Sequence, residues 1–131
     1  MELINVLVAA AGSWVFGAIW YMSLSKPWLV ASGIECDENG RPKGGGSPTP
    51  FILSALAMVV VAGMMRHIFG MAMIDTIGEG FIAGLGIGLF FISPWIMINN
   101  AYGMRPFKLT LIDSGYATFG CAIIGAILTA F

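Results

Sequence analysis

Apolar residues in this chain come in long runs, and polar residues collect where the runs end. Four runs reach the ~20 helical residues that cross a hydrocarbon core of about 30 Å. The first covers about Leu3–Met22, broken only by Asn5, Ser13 and the closing Trp20-Tyr21 pair. The second covers about Pro50–Phe69, the third about Ile77–Asn99 and the fourth about Leu109–Phe131. The pattern predicts an all-α fold, an integral membrane four-helix bundle, with residues 1–131 forming a single transmembrane domain.

Local signals mark the ends of these runs. Thr49 is positioned as an N-cap with Pro50 at the first helical position, and Gly70 as a C-terminal stop. Thr76-Ile77-Gly78-Glu79 reads as a capping box at the start of the third span. Pro94 removes one backbone donor late in that span, which predicts a kink. The long connection, about Ser23–Thr49, divides into two parts. Ser25–Val30 reads as a short interfacial turn or helix that holds Trp28 at headgroup depth. Asp37–Gly46 reads as a flexible linker by composition.

Composition strengthens the membrane reading. Of 131 residues, 58% are hydrophobic and only 10% are charged, against roughly 25% charged in a soluble domain. This is too apolar for disorder or for a monodisperse soluble domain. A net charge of −1 with scattered basic residues argues against a nucleic-acid partner. Lys26, Arg41, Lys43, Arg105 and Lys108 fall on one side of a four-span topology and Arg66 on the other. By the positive-inside rule the long loop is expected to be cytoplasmic and both termini extracytoplasmic in a multi-pass membrane protein. Met1-Glu2 lacks a basic region and the apolar run behind it is too long for a signal peptide, so the first span is expected to be retained. Cys36 in a polar loop and Cys121 in an apolar run give no disulfide framework and no thiolate metal site.

Small residues recur at four-residue spacing. Gly80, Gly84 and Gly88 do so in span three, Ala9, Ser13 and Gly17 in span one, and Ala117, Cys121 and Gly125 in span four. Such stripes let helix backbones approach closely. They predict packing within the bundle. Because four helices satisfy only some of the stripes, they also point to a homo-oligomer or a larger membrane complex.

One group of polar and aromatic residues shares a depth on the loop side. Trp20 and Tyr21 close span one, Asn99 and Asn100 close span three, Arg105 follows, and Asp113 and Tyr116 lie one turn apart in span four. Asp113 is about 6 Å inside its predicted span. An intramembrane carboxylate is a functional candidate by default. The competing reading is that Asp113 pairs with Arg105 or Lys108 and fixes the turn between the last two spans. At the other end, His67 beside Arg66 reads as an interfacial residue, with Asp75 and Glu79 placed to pair with Arg66. The nine methionines read as packing. No phosphate-binding loop, nucleophile elbow or paired catalytic carboxylates are present, so neither an enzyme nor a cofactor is expected.

Gly17-Ala18-Ile19-Trp20-Tyr21, followed by Trp28 and Gly33, is similar to the first-helix signature of the bacterial membrane family called domain of unknown function 1761. Asn100, Arg105-Pro106 and Leu111-Ile112-Asp113-Ser114-Gly115-Tyr116 resemble its second signature. The resemblance implies the same four-helix layout and no particular activity. Its signatures fall on the polar cluster that helix depth also selects. The functional expectation is a non-catalytic membrane protein acting through helix packing, as a homo-oligomer or accessory subunit. The alternative is a small transporter or channel with a cytoplasmic pocket around Asp113, Tyr116, Trp20 and Asn100.

Overall fold

The computed structural model describes residues 3–40, 42–43 and 47–131. Helix α1 spans Leu3–Ser23, the short α2 Ser25–Ser32, and α3 Thr49–Ala72. The next helical stretch, Ile77–Tyr102, consists of α4 (Ile77–Gly86), a wider π-helical segment (Ile87–Ile92) and α5 (Ser93–Tyr102). Helix α6 spans Phe107–Leu128. Four of these stretches are long and apolar enough to cross a membrane, and the fold is an all-α membrane bundle.

Several expected boundaries shift. Thr49 is not the cap of α3. Pro48 holds that position without a side-chain bond, Thr49 opens the helix, and the Ser47 hydroxyl accepts from the Thr49 N–H at 3.2 Å. Gly70 does not stop α3, which continues to Ala72 and ends where Met73 turns left-handed at φ 55°. The Met73 N–H returns to the Phe69 carbonyl, so the turn that closes the helix falls three residues later than Gly70. Thr76 does cap α4, accepting from the Glu79 N–H at 3.2 Å. Pro94 is accommodated by the widened turns just before it. There the Ser93 N–H reaches back five residues to the Gly88 carbonyl, and the Ser93 hydroxyl donates to the same oxygen at 2.6 Å. The linker is more ordered than its composition predicts. Gly40 bonds back to Asp37, and Lys43 N–H to Glu35 O at 2.8 Å, with a bridge between Cys36 and Pro42. Arg41 and Gly44, Gly45 and Gly46 of that linker lie outside the described residues.

Helix α6 is the central element. Half of its most apolar stretch is buried, against 11% for α3, so α3 is the least buried of the four long helical stretches. Since lipid tails are as apolar as the side chains themselves, close packing and hydrogen bonding replace hydrophobic burial as the main adhesive between spans. The small-residue stripes supply that packing. A Cβ at Gly80 would land on the Gly125 carbonyl and the Thr129 side chain, one at Gly84 on the Cys121 carbonyl, and one at Gly88 on the Ala117 carbonyl. Three successive turns of the third span therefore lie backbone to backbone against α6. On the other side of α6, Val6, Ala9 and Ala10 of α1 join Ala62, Met65 and Phe69 of α3 around Cys121, Ile124 and Leu128.

Asn5 is a polar residue within this core. It is fully buried, and its amide donates to the carbonyls of Ile127, Leu128 and Phe131 at 3.1–3.3 Å. The first two belong to the last turn of α6, whose carbonyls lack i→i+4 partners within the helix, and Phe131 lies just beyond it. A residue that reads in sequence as an interruption of span one thus closes the end of α6.

Candidate functional site

The loop-side ends of α1, α3 and α6 meet beneath α2, and the cleft between them has a volume of about 390 Å³. Trp14, Gly17, Ala18 and Tyr21 line it from a single face of α1, at helical spacing. Asp113 and Tyr116 line it from α6, Trp28 from α2, and Pro50, Phe51 and Ser54 from the first turns of α3.

Its polar centre is the Tyr21–Asp113 pair, in which the phenol donates to Oδ1 of the carboxylate at 2.7 Å. The Tyr21 ring stands edge-on to Tyr116 at 5.5 Å and to Trp28 at 5.9 Å. These are favourable arrangements for aromatic quadrupoles. Tyr116 is anchored in turn, its hydroxyl donating to the Ser13 carbonyl at 3.2 Å and meeting the Met58 sulfur at 3.4 Å. Trp14 closes the α3 side, its indole N–H donating to Ser54 Oγ at 3.0 Å.

A second set of contacts holds this arrangement from outside. Trp20 donates to the Ile112 carbonyl at 2.9 Å and lies over Gly115, where any side chain would strike the indole. Arg105 donates to the Ser32 carbonyl at the end of α2, fastening that helix to the turn before α6. Gly33 follows at φ 74°, where a Cβ would also come within 3.0 Å of the Arg105 guanidinium, so both backbone and space call for glycine. Asn100 ties α5 to α6 through Thr110 Oγ1 at 3.2 Å.

The residues singled out in sequence therefore separate into two groups. Tyr21, Asp113 and Tyr116 line the cleft, while Trp20, Asn100 and Arg105 brace the helices that form it. Asn99 is exposed and does not line the cleft. The expected pairing of Asp113 with Arg105 or Lys108 is not made: Arg105 is engaged by Ser32, and Lys108 is exposed. Lys108 lies five residues before Asp113, roughly 140° around the helix, so the two side chains leave α6 on different faces. Because α6 starts at Phe107, Asp113 is also deeper than expected, about 9 Å inside the helix by rise.

Sequence reading missed Trp14, Ala18 and the α3 residues. Trp14 and Ala18 carried a usable signal, since they share with Tyr21 a face repeating every three to four residues. Pro50, Phe51 and Ser54 carried none, because only tertiary packing sets α3 in register with α1. Of the stripe residues, Gly80, Gly84 and Gly88 meet α6 at Gly125, Cys121 and Ala117 respectively. Ser13 and Gly17 meet α6 at Gly120 and Tyr116. Every stripe is thus engaged within one chain. At the opposite end, Arg66 and His67 border a shallow depression with Gly63, Gly70 and Met71, and no ion pair joins Arg66 to Asp75 or Glu79.

No curated protein and no solved structure matches the chain. Residues 4–129 match the family described as Protein of unknown function (DUF1761). The Gly-Ala-Ile-Trp-Tyr and Asp-Ser-Gly-Tyr segments that resemble its signatures build and brace the cleft, and the chain belongs to this family.

Proposed function

We propose that this protein is a non-catalytic membrane protein that holds a small ligand in the cleft between α1, α2, α3 and α6. One observation carries the reading: a carboxylate and five aromatic side chains line one cleft at the end of the bundle. A membrane-embedded carboxylate is costly, and a purely structural one is usually matched by a cation. Asp113 instead meets a neutral phenol inside a concave, largely apolar site, the general form of a small-molecule pocket. By the basic-residue asymmetry, this end of the bundle faces the cytoplasm.

A role exercised through helix packing, as a homo-oligomer or an accessory subunit, is the competing reading. Its main support was an excess of small-residue stripes, and those stripes are engaged between α1, α4, the π-helical segment and α6.

The test is native mass spectrometry of protein extracted in mild detergent. Wild-type protein should retain a non-covalent adduct. Ala18→Phe, which places a ring in the cleft, should lose it without a lower melting temperature. A wild-type protein free of adduct, or an adduct equally retained by Ala18→Phe, would overturn the reading.

A further inference from the structure

The chemistry of the cleft also constrains what it binds, and this inference rests on the reading of the cleft as a ligand site. Among the described residues, its only acidic group is Asp113, and no lysine or arginine lines it. Arg105, the nearest arginine in sequence, is held on the Ser32 carbonyl. An anionic ligand would find no counter-charge here and would meet the carboxylate. A cation would find both the carboxylate and the rings of Trp14, Tyr21, Trp28, Phe51 and Tyr116. Aromatic faces attract cations through their quadrupole, most strongly when water is excluded, and cages of such rings recognise alkylated ammonium groups. A small inorganic cation is a poor fit, because it needs a shell of several oxygen ligands and the walls are mainly carbon. The volume of about 390 Å³ suits a head of a few heavy atoms with an apolar substituent, and not a whole lipid.

We propose that the cleft takes an organic ammonium ion, a positively charged nitrogen with apolar substituents, seated between the Asp113 carboxylate and the surrounding rings. Two sources share this chemistry: a free amphiphilic amine, and the ammonium headgroup of a bilayer lipid whose tails remain outside.

The experiment uses full-length protein in uncharged maltoside micelles. Benzyltrimethylammonium is titrated while tryptophan fluorescence is followed, and neopentylbenzene serves as the neutral isostere. Saturable quenching by the cation is expected, at least about tenfold weaker with the isostere. Asp113→Asn keeps an oxygen for the Tyr21 hydroxyl to donate to, and should weaken cation binding by a similar factor. Trp28→Leu, which removes one of the rings, should weaken it as well. Equal binding of cation and isostere would overturn the ammonium assignment while leaving a ligand site in place, as would unchanged binding by a folded Asp113→Asn. Should that variant fail to fold, the comparison of cation with isostere still decides. Absence of saturable binding by either probe would also overturn the assignment, and the Ala18→Phe adduct test then judges the site itself. Added phosphatidylethanolamine separates the sources: displacement of the probe identifies the headgroup, and persistence of the probe identifies a free amine.

Discussion

Gly17 lies so close to Tyr116 that a Cβ on the glycine would stand 2.7 Å from Cζ of the phenol ring. The hydrogen atom at Gly17 therefore sets how near α1 approaches α6, and with it the position of Tyr21, one turn on, against Asp113. Gly17→Val should separate the two helices and cost on the order of 1–3 kcal/mol, the usual range for overpacking. Thermal unfolding in detergent measures the loss. A melting temperature equal to wild type would show that Tyr116 yields without cost.

The α4–α6 contact is tighter still, with Gly84 against the Cys121 carbonyl. Backbone cannot swing aside as a side-chain tip can. Gly84→Leu is expected to be more damaging than Gly17→Val, with a lower melting temperature and an earlier, broader profile in size exclusion. Wild-type behaviour in both measurements would place Gly84 toward lipid.

Topology can be read from the native cysteines. Cys36 is exposed in the connection between α2 and α3, and Cys121 is buried in α6 and serves as an internal blank. By the positive-inside rule Cys36 is expected on the cytoplasmic side. An impermeant maleimide should leave intact cells unlabelled and modify Cys36 only after permeabilisation. Rapid labelling of intact cells would reverse the orientation.

The protein is expected not to run as a proton-coupled antiporter. That mechanism calls for a carboxylate reachable alternately from both sides, most simply near the midplane. Among the described residues, Asp113 is the only acidic residue more than one turn inside a span, about 9 Å from the start of α6. Proteoliposomes should show no uptake of a cationic dye driven by a proton gradient. Robust uptake that is abolished by Asp113→Asn with folding intact would refute this.

The order of apolar and polar runs was sufficient to determine four helices long and apolar enough to cross a membrane. An unpaired backbone in hydrocarbon is so costly that a run of ~20 apolar residues has few other outcomes. The same logic made the Gly80–Gly88 stripe legible as a contact surface, and the depth of Asp113 and Tyr116 legible as a shared level. What sequence could not determine was which partner each group meets. Asp113 was in reach of Arg105 and Lys108 along the chain, yet it meets Tyr21, 92 residues away. Asn5 was an interruption in one helix until folding placed it on the last carbonyls of another. Trp28 was placed at the headgroups by its type, and packing turned it onto Tyr21. Helix formation is decided within a few residues by hydrogen bonds at i→i−4, whereas these pairings depend on how helices rotate about their own axes. That rotation is set by the sum of close contacts along whole helices, and so only the assembled bundle decides it.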